Sequence, residues 1–544
     1  MKFIYKKQLA IFLLVATILI SFSFTSKFFE IAKQLEIYTT LFKELNMYYV
    51  HKINPAEFTE KAIKNTLKNL DPYTRFYTEQ DVEDAKIRRE GEYGGVGISV
   101  YYDKKGITIS EIYEGFPADK AGLKAGDIIT KVNDLALKGL EKNQLSSQLK
   151  GVPNTHISIE IDRQGKVIPF QLQLGKININ PVPFYQMIDA KTGYIVLTRF
   201  NLKASKEVKK AFKGLKKKGM QKLIFDLRGN PGGSLRESIN IVNFFTPKGS
   251  IVVKTRGKVQ KMSNTYKGNN NPLDLEIPIV VLVNGRSASA SEIVSGALQD
   301  YDRAVIMGTR SFGKGLVQRY FKLTYGTQLK ATISKYYTPS GRCIQELDYA
   351  NRDPKTGEVP KFSEGTVHAF TTQNGRTVYD GGGVLPDVKI NESKQTKTTK
   401  KLLQSRAIFN FSTDYIVKNP TTSLENFTFS NTNFINFTNY LKIADTTFVT
   451  KQENLFNIAY KAATNNNSIS KYHQQIQQAL KTQKISEINK NKDILKTLLQ
   501  DEILERSFYK KGVYQYHLKN DPTILQAIKL LQNEKKYNRI LAKK

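Results

Sequence analysis

The run Ser287-Ala288-Ser289-Ala290-Ser291-Glu292 is followed by Ala304-Val305-Ile306-Met307-Gly308 and then by Phe312-Gly313-Lys314-Gly315. A serine at the head of an apolar helix and a lysine beyond the next buried strand are the two groups a serine–lysine hydrolase needs. The hydroxyl attacks an acyl carbon and the lysine, when neutral, takes its proton. Free lysine titrates near ~10.4, so this role requires desolvation. Glycines on both sides of Lys314 allow a sharp turn and close backbone approach there. Plainer roles exist for each group taken singly, a helix N-cap for the serines and a solvated turn for the lysine. Gly308 to Lys314 also follows the phosphate-loop pattern up to its last position. Gly315 then stands where Ser or Thr would hold magnesium, and Leu316–Leu323 reads as a strand where a helix is required. The nucleotide reading fails on both counts.

The flanking chain supplies elements that could hold such a pair. Across residues 177–392 strands and helices alternate: strand Tyr194–Leu197, amphipathic helix Ser205–Lys218, buried strand Lys222–Arg228, the turn Gly229-Asn230-Pro231-Gly232-Gly233 into a helix near Ser234, and strand Ile277–Val283 ahead of Ser289. This order implies a mainly parallel sheet with helices packed on it. Such folds gather active sites at the C-terminal ends of strands, where Gly232, Gly233 and Ser289 fall. Tyr325-Gly326-Thr327 reads as a hairpin turn. In residues 90–176, Gly91, Gly94, Gly95 and Gly97 precede a strand at Ile98–Tyr102, the reverse of a dinucleotide site, which has its strand first. Residues 27–89 read as helices, with one apolar stripe of Ile31, Leu35, Tyr38, Leu41, Phe42 and Leu45 and a second helix from Pro55 to Leu70. Residues 393–544 carry no recognisable chemistry. Lys394–Lys401 reads as a polar linker, Asn465–Ser470 as a second polar break, and Leu495, Leu498, Leu499 and Ile524–Leu531 as helical stripes.

Several separate segments occur in an order that resembles the C-terminal processing peptidases, or tail-specific proteases. They are Leu70-Asp71-Pro72-Tyr73-Thr74, Asp226-Leu227-Arg228-Gly229-Asn230-Pro231-Gly232-Gly233, Ser287 to Ile293, Gln299-Asp300-Tyr301, Phe312 to Gln318, and Tyr336 to Arg342. The likeness covers residues 30–390, and Cys343-Ile344-Gln345 is similar to the Bacteroidetes version. It implies an α/β multidomain chain: a crotonase-like α/β protease core at 177–392, an inserted PDZ-like β-rich domain at 90–176, and helical regions at 27–89 and 393–544. Spacing alone does not choose among Ser287, Ser289 and Ser291. The family pattern makes Ser289 the nucleophile, Lys314 the base and Gln318 the residue that orients the lysine. In a straight strand Lys314 and Gln318 would lie about 13 Å apart, so the glycine bend must shorten that distance. The oxyanion hole is expected from the N–H of Ala290 with Gly232 or Gly233. Asp300 matches an acidic supporting position, with helix-end structure as its other role. The segment Pro117 to Ile129 strengthens the PDZ likeness. A loop Gly95-Val96-Gly97-Ile98 would then capture a terminal carboxylate, and Leu145 and Leu149 would line the groove or pack as ordinary core. His51, His156, His368, His473 and His517 lack metal-ligand spacing. Neither metal nor cofactor is expected.

The 544 residues carry 83 basic and 49 acidic side chains, a formal net charge of +34. Lysines are spread over every segment with no nucleic-acid motif, so no nucleic-acid partner is expected, and loose association with anionic surfaces is. One cysteine, Cys343, excludes an internal disulfide framework. Leu9–Phe24 is apolar behind Lys2, Lys6 and Lys7, the pattern of a signal peptide or N-terminal anchor over residues 1–26. This predicts a periplasmic protein, held at the inner membrane if the segment is retained. The expected function is an ATP-independent serine endopeptidase acting on polypeptides with free, apolar C-termini. A homodimer and an adaptor protein are partners the resemblance allows. The alternatives are a catalytically silent PDZ scaffold, a periplasmic holdase, and an acyl hydrolase that is not a peptidase.

Overall fold

The computed structural model describes residues 28–362, 367–391, 394–421, 423–425, 427–443, 448–462 and 467–542. The expected export segment lies outside these residues, as do 465–466 of the expected Asn465–Ser470 break. Among the described residues no helix is long and apolar enough to cross a membrane. The chain divides into two units, Met1–Phe76 and Tyr77–Lys544.

In the first unit, helix α1 covers residues 28–48 and α2 covers Pro55–Lys68. Asn54 caps α2 by accepting from the N–H groups of Ala56 and Glu57, and Pro55 fits its first position. Phe42 stacks on Phe58 at 5.8 Å, while Ile31, Leu35, Tyr38 and Leu41 of the α1 stripe are exposed.

The second unit opens with α3 (Glu79–Glu90), which the sequence pattern groups with the N-terminal helices. A β-rich domain follows. Strand β1 (Glu92–Gly95) pairs with β7 (Gly175–Asn178). Between them β2 (Ile98–Asp103), β3 (Gly106–Ile112), β4 (Ile128–Val132), β5 (His156–Arg163) and β6 (Lys166–Gln173) form an antiparallel sheet in sequence order, leaving β2 at its edge. Helix α4 (Lys142–Ser147) closes this domain.

The central layer is a six-stranded sheet of β8 (Phe184–Met187), β9 (Thr192–Val196), β10 (Lys222–Asp226), β13 (Ile279–Val283), β14 (Val305–Gly308) and β17 (Val388–Lys389), parallel except for the β8–β9 pair. Helices α5 (Ala204–Lys217), α6 (Leu235–Asn243) and α7 (Ala290–Asp300) cover one face. A second, antiparallel sheet holds β12 (Asn264–Lys267), β11 (Ile251–Gly257), β16 (Gln328–Tyr337) and β15 (Leu316–Lys322) in that order.

The period of two along the central strands sends alternate side chains to opposite faces. Ile195, Phe225, Ile279, Val281 and Ile306 meet α5–α7. Tyr194, Val196, Ile224, Val280, Leu282, Val305 and Met307 point the other way and are covered by Ile524, Ala527, Leu530, Leu531 and Tyr537. Those residues sit on α14 (Pro522–Gln532) and α15 (Glu534–Leu541), at the end of the C-terminal region. Tyr537 ties the layers directly: its hydroxyl accepts from Ile279 N–H at 2.9 Å and donates to Ile279 O at 3.1 Å.

The intervening helices are α8 (Lys397–Gln404), α9 (Ala407–Lys418), α10 (Asn431–Ile443), α11 (Lys451–Ala462), α12 (Asn467–Asn489) and α13 (Lys492–Asn520). The expected linker Lys394–Lys401 is therefore largely α8. Its lysines face water while Thr398, Thr399 and Leu402 are buried, and Thr396 caps its first turn. Charge density hid that amphipathic period.

Candidate functional site

Ser289 is the N-cap of α7, with φ +56° and ψ −112°. A side chain at such a dihedral costs about 1–3 kcal/mol and persists only where its surroundings over-determine it. Here they do. Asn230 O accepts from Ala288 N–H at 3.0 Å and from Ser291 Oγ at 2.9 Å. Ser287 Oγ donates to Leu227 O at 2.8 Å and accepts from Asn284 N–H. Tyr336 donates to Ser289 O at 3.1 Å. Ser287 and Ser291 are 0% exposed and bonded to main chain, whereas Ser289 is partly accessible.

One buried carboxylate joins this elbow to the loop after β14. Glu292 Oε2 accepts from Ser289 N–H at 2.7 Å and from Lys314 N–H at 3.0 Å. Its Oε1 accepts from Ser311 Oγ and Gly313 N–H, both at 2.6 Å. Ser289 and Lys314 thus hang from a single oxygen atom. Burial raises the titration of Glu292 above the ordinary carboxylate value, against the pull of the four donors. Phe312 N–H adds a bond to Ser287 O, and Gly315 N–H one to the side chain of Gln345. The motif Ser287 to Ile293 contains Glu292 but by itself gives it no role. The available signal was the Ser-x-x-Glu spacing of a capping box.

The glycine turn packs against the elbow. A Cβ on Gly232 (φ +93°) would lie 2.6 Å from Ala288 O and 2.9 Å from Ser289 Cβ, so only glycine fits. Its N–H is committed to Asn230 Oδ1 at 2.9 Å. Of the three residues expected to donate to an anion, Gly232 therefore has its N–H already paired, and a Cβ on it would lie 2.8 Å from Ala290 N at the head of α7. Gly233 bridges to Phe200 through its neighbours, Phe200 N–H donating to Gly232 O and Ser234 N–H to Phe200 O.

The remaining expected residues fall in three places. Gln318 lies on β15, where a bulge between Val317 and Gln318 re-aims the strand, and its amide donates to Thr332 Oγ1 at 3.3 Å. Asp300 is at the opposite end of α7 from Ser289, about 16 Å along the axis at 1.5 Å per residue. It pairs with Arg342 at 2.8 Å and accepts from Ser340 N–H at 2.9 Å. Asp300 is therefore a structural anchor rather than a supporting group at the site. In the β-rich domain, Leu145 and Leu149 are 2% and 7% exposed and pack in the interior with Val96 and Ile159. Leu145 is on α4 and Leu149 follows its end.

The loop Gly95–Ile98 leads into edge strand β2. Val96 O and Gly97 O are taken by Ala118 and Tyr113 N–H, and Gly97 has φ +83°. The Tyr93 ring lies against Gly95 and its hydroxyl faces the N–H of Ile98.

Glu292→Gln isolates the four-way contact. An amide nitrogen on either side faces a main-chain donor, leaving at least one buried N–H without an acceptor, at about 1–3 kcal/mol each. We expect urea denaturation to show a stability loss of about 2–5 kcal/mol. A midpoint equal to wild type would mean that the carboxylate is not the tie.

Three family models match this chain: peptidase family S41 over residues 191–350, a PDZ domain over 84–162, and the C-terminal helical domain of probable PDZ-proteases over 398–531. A carboxy-terminal-processing protease of Bartonella bacilliformis is 35% identical over 319 residues, which is 58% of this chain and 73% of that protein. A probable CtpA-like serine protease of Staphylococcus aureus is 33% identical over 307 residues, 56% of this chain and 61% of that one. Among solved structures, the photosystem II D1 C-terminal processing protease aligns with 28% identity and a TM-score of 0.37, covering 64% of this chain and 85% of that one. On the extent and identity of the first of these relatives, the chain belongs to the carboxy-terminal-processing proteases of peptidase family S41, serine-type peptidases carrying a PDZ domain.

Proposed function

We propose that Ser289 is the nucleophile and Lys314 the general base and acid of an exported endopeptidase that selects proteins by their C-termini. The observation that carries this reading is the shared Glu292 oxygen. It brings the one partly accessible serine of the motif and the lysine loop together through their main chains. In this mechanism neutral Lys314 takes the proton as Ser289 Oγ attacks the peptide carbonyl, then returns it to the leaving amine. The developing oxyanion sits against the N–H groups of Ala290 and Gly233, donors that typically contribute 10²–10³-fold each. Water hydrolyses the acyl-enzyme by the reverse proton path. Gln318 orients the lysine. The substrate's free C-terminus docks at Gly95–Ile98 and its chain extends along edge strand β2.

Ser289→Ala should lower kcat by at least about a thousandfold while the melting temperature stays within a few degrees. Lys314→Arg should be as slow as Lys314→Ala, because arginine cannot give up its proton at accessible pH. Wild-type rates in Lys314→Arg would remove the lysine from proton transfer.

Amidating the C-terminus of a peptide substrate removes a charge-assisted hydrogen-bond acceptor worth about 1.5–3 kcal/mol. KM should rise roughly tenfold to a hundredfold, with kcat little changed. Equal KM for the acid and the amide would exclude tail capture by this loop.

Export is supported by the lysine-flanked apolar run Leu9–Phe24. Cell fractionation is expected to place the protein outside the cytosol, and recovery mainly in the cytosol would refute export.

A further inference from the structure

The central strands end at the candidate site, and one of those ends is gripped from the far end of the chain. Asp226 closes β10. Its Oδ1 accepts from Arg228 N–H at 2.9 Å, and both of its oxygens take the Arg228 guanidinium, at 2.7 Å for Nη2–Oδ2. Tyr194 donates to the same carboxylate at 2.7 Å. The remaining arm, Nη1 of Arg228, donates to Asp521 Oδ2 at 2.7 Å. Asp521 precedes α14, and its Oδ1 caps that helix by accepting from Thr523 N–H at 2.7 Å and Ile524 N–H at 3.2 Å.

One carboxylate therefore does two separable things, one with each oxygen. Burial works against its charge, yet Arg228 and then His517 hold the Asp521 carboxyl below its ordinary range. The other charged groups facing this cluster are Asp226 and, through His517, Asp501 at 2.8 Å.

Arg228 is followed at once by the turn that packs on Ser289. Gly229 N–H is held by Asn284, Asn230 supports Ala288, Ser291 and Gly232, and a Cβ on Gly232 would lie 2.9 Å from Ser289 Cβ. The turn thus connects Arg228 along the chain to Gly233, five residues on, and across Asn230 O to Ala288 and Ser291 on either side of Ser289.

We propose that the C-terminal helical region is a working part of the peptidase site, with Asp521 acting as a positioning residue that sets the Gly229–Gly233 turn through Arg228. The inference rests on the Ser289–Lys314 reading of the site.

The test uses full-length Asp521→Asn. Asparagine caps a helix as well as aspartate does, so the head of α14 is kept while the charge facing Arg228 is lost. Lys222→Met is the comparison, because Lys222 Nζ donates to Leu531 O at 2.8 Å and ties the other end of α14 to the same sheet. Asp521→Asn should lower kcat about tenfold or more with KM within about twofold, as small displacements of reacting groups do. Lys222→Met should lower stability and leave kcat unchanged. In an Arg228→Gln background, Asp521→Asn should add little further loss. Hydrogen exchange of the peptide covering 227–234 should be about tenfold faster in Asp521→Asn and unchanged in Lys222→Met.

Wild-type kcat and wild-type exchange in Asp521→Asn would overturn the proposal, as would a full additional loss in the Arg228→Gln background. If the wild type cleaves nothing, or Ser289→Ala cleaves as well, the peptidase reading falls instead, and the exchange comparison still decides whether Asp521 holds the turn. Asp521→Ser, which keeps a capping oxygen, takes the place of Asp521→Asn if that variant does not fold.

Discussion

The Glu292 carboxylate is the contact on which the site depends. Taking an ionised carboxylate out of water costs several kcal/mol unless its lone pairs are filled. Four donors fill them here, three main-chain N–H groups and one hydroxyl. The donors come from two chain segments separated by an entire helix and strand, so the cost of burial is offset only when α7 and the Ser311–Gly315 loop are both in place. That conditional stability makes the elbow specific. Ser289 sits at a dihedral it would not hold alone, and the surrounding bonds from Asn230, Ser287 and Tyr336 leave it no unstrained alternative.

A parallel sheet with two apolar faces cannot be stable with one layer of helices. The protease core supplies one layer from α5–α7. The other comes from α14 and α15, more than 130 residues after the last central strand. The helical region is thus joined to the core by burial, by Tyr537 on Ile279, and by Asp521 on Arg228. It also reaches the β-rich domain, through Arg406 on Asp103 at 3.0 Å, Tyr509 on Asp119 at 2.6 Å and Lys510 on Glu111 at 2.5 Å.

Local chemistry was legible in the sequence and long-range partnership was not. Strands such as Lys222–Asp226 and Ile279–Val283 announce themselves as short apolar runs, and Ser234 marks its helix as an N-cap. The motif order placed Ser289, Lys314 and the glycine turn. What periodicity could not show is which face an apolar stripe meets. Leu145 and Leu149 are four residues apart, a spacing that fits a groove or a core alike, and that both are buried in one cluster with Val96 is visible only in the fold. The same holds for Ile524–Leu531, whose stripe says helix but not that the other half of the interface is the back of a sheet. The Gly232 N–H was beyond reach for another reason, since its acceptor is a side chain two residues away whose rotamer no pattern encodes.

Asp300 illustrates how position along a helix decides a role. All eleven residues of α7 are buried, so neither end can leave its terminal groups to water. Glu292 serves the N-terminal end, where a negative charge also suits the helix dipole. Asp300 sits at the C-terminal end, where the dipole opposes a negative charge. It is tolerable there because Arg342, fully buried, lies 2.8 Å away, and because Gln299 and Asp387 extend the network to Arg376 and Asp302. These pairs lock residues 338–342 and 372–387 onto the far end of the helix. The arrangement makes α7 a strut clamped at both ends by charge, one clamp at the Ser289 elbow and the other at the far end. An acidic side chain in the right segment is therefore a poor guide to catalysis until its distance along the helix axis is known.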